Sequence, residues 1–206
     1  MSQNTKLTSS KTEGKIAILF LWSLVITYPV LVVLTYYIQG LREIDIKGLF
    51  AALAIMACIS LIVTSLIMFL IWFYKAYSIL YQKTSDLKYK KYWTILSWII
   101  PVINFYLPYL IIKDMYSVAA VNNPLTQKRI KKWTTINICW TLYIFMWILD
   151  IAYYIIVYPD RPVVFDAVTY ILIAPSIWLT IKIIKDYCEL EAKLFEKDGS
   201  SSYTIG

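Results

Sequence analysis

The stretch YWTILSWIIPVINFYLPYLII occupies residues 92–112, and it decides how the rest of the chain is arranged. It is apolar enough to enter a bilayer but barely long enough to cross one, since a spanning helix needs about 20 apolar residues. Pro101 and Pro108 interrupt it, with Asn104 between them. Each proline lacks an N–H and disfavours helix in the residue before it. The stretch is therefore either a Pro-kinked span or a re-entrant hairpin that returns to the side it entered from.

The composition of the chain indicates a membrane protein built only from helices. Its 206 residues are 60% hydrophobic, with a mean hydropathy of +0.63. A soluble domain of this size would carry more charge and fewer continuous apolar runs. We expect an all-α, polytopic fold with four transmembrane helices and a Pro-broken re-entrant hairpin, or alternatively five spans. The four full spans are predicted over residues 16–38, 49–74, 133–158 and 163–181.

The two ends of the chain are expected to differ from the spans. Residues 1–15 are polar and are predicted to form a cytoplasmic tail. Residues 182–206 are predicted to form a cytoplasmic amphipathic helix and tail, because apolar side chains repeat there at helical spacing. These side chains are Ile183, Ile184, Tyr187, Leu190 and Leu194.

Proline also occurs within the first predicted span. Pro29 lies near the middle of that span, where it frees a backbone carbonyl group and should kink the helix. Inside a membrane such a carbonyl needs another hydrogen-bond donor. Thr27 or a neighbouring helix is expected to supply it.

The distribution of lysine and arginine predicts the topology. The links before and after the 92–112 stretch carry five each, whereas the link after the first span carries two and the link between the last two spans carries one. Short loops rich in Lys and Arg stay cytoplasmic. Both basic links and both termini are therefore expected in the cytoplasm, which requires residues 92–112 to re-enter. Frequent Ile, Lys and Tyr favour an AT-rich bacterial genome and hence the bacterial inner membrane.

Several chemistries are not expected from this composition. Histidine is absent, and the three cysteines, Cys58, Cys139 and Cys188, are widely spaced. No metal site, disulfide framework or cofactor is predicted. We expect no enzymatic activity, although a mechanism that uses only the carboxylates of Asp150 and Asp166 stays open.

The candidate pore or hairpin residues are polar groups and prolines inside apolar segments: Pro101, Asn104, Pro108, Asp150 and Asp166. The two carboxylates lie in the outer half of the membrane and would attract cations if repeated around a homo-oligomer. Alternatively, Asp150 accepts hydrogen bonds from tyrosines or Arg161, and Asp166 lies among the headgroups. Asn137 and Thr141 are one turn apart and are predicted to mediate helix packing.

A cytoplasmic basic face is predicted from Lys83, Lys88, Lys90, Lys91, Lys128, Arg129, Lys131 and Lys132. Juxtamembrane lysines and arginines are attracted to anionic lipid headgroups, which is the favoured interpretation. An anionic cytoplasmic ligand, such as a nucleotide or oligonucleotide, and a protein partner are the alternatives.

Two motifs resemble a known family. One is Trp72-Phe73-Tyr74-Lys75-Ala76, at the end of the second span; the other is Pro101-Val102-Ile103-Asn104-Phe105-Tyr106-Leu107-Pro108-Tyr109, preceded by Trp93 and Trp98 and followed by Asp114. Together they resemble an uncharacterised family of bacterial multi-pass membrane proteins, domain of unknown function 4328. The resemblance is centred on residues 65–116. It implies a membrane location and brings no established activity.

The leading hypothesis is an oligomeric pore or ion-channel-type protein, motivated by the predicted hairpin and the outer-half carboxylates. A ligand-gated membrane effector, for example in bacterial defence, is its narrower form. The alternative is a non-catalytic membrane scaffold or partner subunit. The amphipathic C-terminal helix motivates that alternative, together with a face of small residues on the second span.

Overall fold

The chain is all-helical where the structure describes it. The structure is a computed structural model that describes residues 9–41, 46–84, 86–121, 126–157 and 163–201, with side chains over 9–41, 46–84, 86–119, 134–149, 151 and 166–193. These residues form seven α-helices and no strand, which confirms the predicted fold class. The helices are α1 Lys11–Gln39, α2 Ile46–Lys83, α3 Trp93–Ile99, α4 Pro101–Asn104, α5 Leu107–Val121, α6 Thr126–Val157 and α7 Val163–Ser201.

Three of these helices are long and apolar enough to cross a membrane. They are α1, α2 and the Asp166–Lys193 part of α7. Within α6, the described apolar segment Thr134–Leu149 is shorter than these three. Each long helix extends beyond the span predicted for it, because the polar residues that flank the apolar runs are helical as well.

The 92–112 stretch folds as a helical hairpin. The helix is interrupted at Ile100, whose backbone is extended (φ −83°, ψ 114°), the conformation favoured before a proline. Pro101 is the first residue of α4 and Pro108 the second residue of α5, positions in a first turn where no N–H is needed. Because α3 packs against α5 as well as α4, the stretch is folded back on itself and is not one straight helix. Its entry into a bilayer stays a prediction.

The chain folds into two compact units, each built from separate stretches of the sequence. The first, the hairpin unit, comprises Met1–Lys15, Leu70–Ile138 and Lys182–Gly206. The second, the long-helix unit, comprises Ile16–Phe69 and Cys139–Ile181.

The hairpin unit has a densely packed core of aromatic and aliphatic side chains. Trp72 and Tyr77 of α2, Ile111 of α5, and Ile184 and Tyr187 of α7 are all almost completely buried. Tyr187 packs edge-on against Trp72, with ring centroids 6.1 Å apart, and against Tyr116 at 5.7 Å. These ring contacts join α2, α5 and the end of α7 into one core.

The predicted apolar face of the C-terminal helix lies inside this core. Ile183, Ile184, Tyr187 and Leu190 are all buried, whereas Lys185, Glu189 and Lys193 are exposed. The amphipathic pattern is therefore confirmed, but its apolar face is covered by the chain itself. Leu194, the last residue of the predicted face, lies outside the residues whose side chains are described.

The long-helix unit carries large apolar side chains on its surface. On α1, Leu19 and Ile26 are each 70% exposed and Val33 is 66% exposed, and the three are spaced seven residues apart. A continuous apolar row of this kind is unfavourable in water. Together with the length of the helices, it supports a protein embedded in a membrane.

A neighbouring helix satisfies the backbone carbonyl freed by Pro29. In a regular helix the Val25 carbonyl would accept from the N–H of residue 29. Instead it accepts from the hydroxyl of Tyr170, on α7, at 3.1 Å. Tyr28 stacks on the Tyr170 ring, with centroids 6.0 Å apart. The Thr27 hydroxyl donates to the Ser23 carbonyl at 2.8 Å and not to the Val25 carbonyl. Of the two donors predicted for the freed carbonyl, the neighbouring helix is therefore the one that supplies the hydrogen bond.

Candidate functional site

The loop between α2 and α3, described at residue 84 and over 86–92, is held by hydrogen bonds between its backbone and neighbouring helices. We call it the basic loop; its described residues include Lys88, Lys90 and Lys91. The Lys88 N–H donates to the Asp114 carboxylate, on α5, at 2.9 Å. The Tyr89 carbonyl accepts from the hydroxyl of Tyr77, on α2. The backbone is thus fixed to two helices, while the side chains of Lys88 and Lys90 are exposed.

A second set of polar groups joins the hairpin to α6. The Lys113 ammonium donates to the Tyr109 hydroxyl at 2.7 Å, and that hydroxyl donates to Asn137 Oδ1 at 2.7 Å. We call these three residues the polar chain. Its end at Asn137 is exposed, although Asn137 lies within the apolar segment of α6. Thr134, one turn earlier on α6, is exposed too.

A buried carboxylate ties the start of α1 to the end of α7. Glu191 is only 2% exposed. It accepts from the Ser10 backbone N–H at 3.0 Å and from the Ser10 hydroxyl. Ser10 directly precedes α1, so this carboxylate takes up a backbone donor that the helix itself leaves unsatisfied.

The first turn of α1 makes two further contacts in the hairpin unit. Glu13 forms an ion pair with Lys75 of α2; both side chains are partly exposed, so we expect the pair to contribute little stability. Gly14 is required by close packing. A Cβ atom on it would lie 2.8 Å from Cys188 Sγ and 3.2 Å from the Trp72 indole.

Tyr116 joins α5 to α7 through a buried hydroxyl group. Burial, and secondarily the charge of Asp186, raises the pKa of Tyr116 well above its ordinary value. The hydroxyl therefore stays protonated and donates to the Ile183 carbonyl at 2.6 Å. This contact fixes the register of α7 against the hairpin.

The predicted hairpin residues come together in the short helices. Pro101 begins α4 and is exposed, Asn104 ends α4, and Pro108 is buried at the start of α5. The Asn104 N–H closes the turn by donating to the Ile100 carbonyl at 2.9 Å. These residues shape the hairpin, and the polar chain begins directly after them at Tyr109.

The two predicted carboxylates, Asp150 and Asp166, lie on α6 and α7. In the long-helix unit, Asp166 is buried and accepts from the Tyr36 hydroxyl at 2.7 Å. The side chain of Asp150 lies outside the described residues, as do those of four predicted basic-face residues, Lys128, Arg129, Lys131 and Lys132. Of the other basic-face residues, Lys83 ends α2 and Lys88, Lys90 and Lys91 share the basic loop.

Several residues of these contacts were missed by sequence reasoning. The spacing Ser10-x-x-Glu13 is that of a helix N-cap, which places a helix start inside the predicted polar tail; α1 indeed begins at Lys11. The sequence singles out Tyr109 and Asp114 only as part of the family motif and predicts no partner for either residue. Asn137 was predicted to mediate helix packing; it bonds to Tyr109 yet remains exposed.

No set of three His, Cys, Asp or Glu side chains that could hold a metal ion occurs within the described part of the chain.

A family described as Domain of unknown function (DUF4328) matches residues 41–188, more than half of the sequence. The chain belongs to this family. No curated protein and no solved structure matches it. The DUF4328 region contains the basic loop, the hairpin and the polar chain, whereas Ser10 and Glu191 flank it.

Proposed function

We propose that this DUF4328 protein is an oligomeric pore of ion-channel type in the bacterial inner membrane, with both termini in the cytoplasm. The observation that carries the proposal is the exposed end of the polar chain. Asn137 presents an amide on the surface of a single chain, inside the apolar segment of α6. Polar side chains at such positions usually face a water-filled path or another protein.

The polar chain suggests how such a path would be lined. The Tyr109 hydroxyl donates to Asn137 Oδ1 and so fixes the orientation of this side-chain amide. Lys113 in turn fixes the Tyr109 hydroxyl. Copies of α6 arranged around an axis would present a ring of oriented amides to water. Rings of polar or charged side chains set ion selectivity in channels.

The proposal predicts that the charge at residue 137 controls ion selectivity. Asn137→Asp keeps the size of the side chain and the acceptor for Tyr109, and it adds a negative charge in every copy. In planar bilayers under a salt gradient, the reversal potential of Asn137→Asp should shift towards the equilibrium potential of the cation. Gln82→Glu makes the same isosteric change at an exposed position at the end of α2 and should leave the reversal potential unchanged.

Two results would contradict the proposal. One is a silent bilayer from well-folded, oligomeric protein. The other is a conductance whose selectivity is the same for wild type, Asn137→Asp and Gln82→Glu.

The alternative of a non-catalytic scaffold or partner subunit has less support. Its main motivation is the amphipathic C-terminal helix. In the hairpin unit the described residues of that apolar face pack against the chain's own α2 and α5, as the Tyr187 contacts with Trp72 and Tyr116 illustrate. That part of the face is therefore not free to receive a partner.

A further inference from the structure

The basic loop combines exposed cations with a fixed backbone. Lys88 and Lys90 are exposed on either side of Tyr89, and Lys91 is partly exposed beside them. The one acidic residue of the loop is Asp86, which is also exposed. The loop therefore carries a net positive charge.

Two buried side chains form hydrogen bonds to the backbone of this loop. Tyr77 is fully buried and Asp114 is 7% exposed, and they bind the backbone of Tyr89 and Lys88 respectively. Leu87 is buried as well. A loop anchored at consecutive residues has little backbone freedom left to lose when a ligand binds, so its cations are preorganised.

Aromatic rings surround the lysines. Exposed Tyr92 packs against Trp93, with ring centroids 5.4 Å apart. The Lys91 ammonium lies 5.1 Å from the ring centroid of Tyr81, which is exposed too. Tyrosine and tryptophan beside lysine are typical of the boundary between lipid and water. A phospholipid, with a polar headgroup on one side and acyl chains on the other, suits such a surface better than a fully hydrated ligand does.

We propose that the basic loop is a preorganised binding site for the phosphate headgroups of anionic phospholipid. Lys88 and Lys90 contact the phosphate, and Tyr81, Tyr92 and Trp93 lie at the level of the glycerol backbone. The Tyr77 and Asp114 hydrogen bonds hold the two lysines in place. This site is independent of ion conduction.

The test measures lipid affinity of the purified full-length protein in detergent micelles, from the rise of its unfolding temperature as phosphatidylglycerol is added. We expect a saturable rise that phosphatidylcholine does not produce. The Lys88→Gln, Lys90→Gln double variant should bind phosphatidylglycerol roughly 30-fold more weakly, from the usual contribution of two surface lysines. The control, Lys185→Gln with Lys193→Gln, removes two exposed lysines of α7 and should keep wild-type affinity.

A second variant tests preorganisation without any change of charge. Tyr77→Phe removes only the hydrogen bond to the Tyr89 carbonyl. It should weaken phosphatidylglycerol binding by at most about fivefold, because the ordering that the loop loses cannot exceed the free energy of one hydrogen bond. Its unfolding temperature without lipid, compared with wild type, reports whether the fold is retained.

Three outcomes would overturn the proposal. The first is an equal loss of affinity in the α7 control, which would indicate a general charge effect. The second is wild-type affinity in a folded Tyr77→Phe variant. The third is stabilisation of the same size by inorganic phosphate or ATP, which would identify a soluble anion as the ligand.

Discussion

Trp72→Ala is expected to lower the free energy of unfolding by about 3–5 kcal/mol, the usual range when a large aromatic side chain is removed from a packed core. Trp72 is 2% exposed and contacts the rings of Phe73 and Tyr187. The first turn of α1 also packs on it, since a Cβ atom at Gly14 would lie 3.2 Å from the indole. The substitution therefore leaves a cavity where three helices meet.

Thermal unfolding in detergent, followed by circular dichroism, measures this effect. For a chain of this length the loss corresponds to a fall of roughly 6–20 °C in the unfolding temperature. Trp22→Ala is the matched control, because Trp22 lies on the exposed surface of α1. An effect of equal size at both positions would contradict the assignment of Trp72 to the core.

Glu191→Ala is expected to cost about 3 kcal/mol, because both the Ser10 N–H and the Ser10 hydroxyl lose their buried acceptor and each unsatisfied group costs about 1–3 kcal/mol. The start of α1 should lose order first, since this carboxylate bonds the residue just before it. Hydrogen exchange of the amides in the first turn of α1 reports that change, and thermal unfolding reports the overall cost.

The comparison with glutamine isolates the hydrogen bonds from the charge. Glu191→Gln retains one carbonyl acceptor and should be clearly less destabilising than Glu191→Ala. Glu189→Ala, at an exposed position on the same helix, should change stability by no more than about 0.5 kcal/mol. Equal effects of Glu191→Ala and Glu189→Ala would show that the Ser10 contact contributes nothing.

The sequence predicts the helices well because their signals are local. Apolar runs mark α1, α2, α6 and α7, and the two prolines mark the starts of α4 and α5. The face of α7 that enters the hairpin core follows from helical spacing alone. The resemblance to the DUF4328 family, judged from a central region, is confirmed over the longer range 41–188.

The candidate site was harder to predict because its contacts join residues far apart in the chain. Ser10 and Glu191 are 181 positions apart, and nothing in the spacing of either residue indicates the other. The Tyr109 bond to Asn137 likewise depends on how α5 lies against α6. The bond between Tyr36 and Asp166 also joins distant residues, and a role of Asp166 in a pore stays a prediction.

The most direct test of the proposed topology is whether both ends of the hairpin lie on the cytoplasmic side. Single cysteines at Asp86 and Thr126, in a background without the three native cysteines, would be labelled with a membrane-impermeant maleimide in spheroplasts and in inverted vesicles. We predict that both react only in inverted vesicles. A cysteine at Lys47, in the first turn of α2 and between the first two predicted spans, should react only in spheroplasts, because the predicted topology places that end of α2 outside. Reaction of residues 86 and 126 from opposite sides would contradict the re-entrant hairpin.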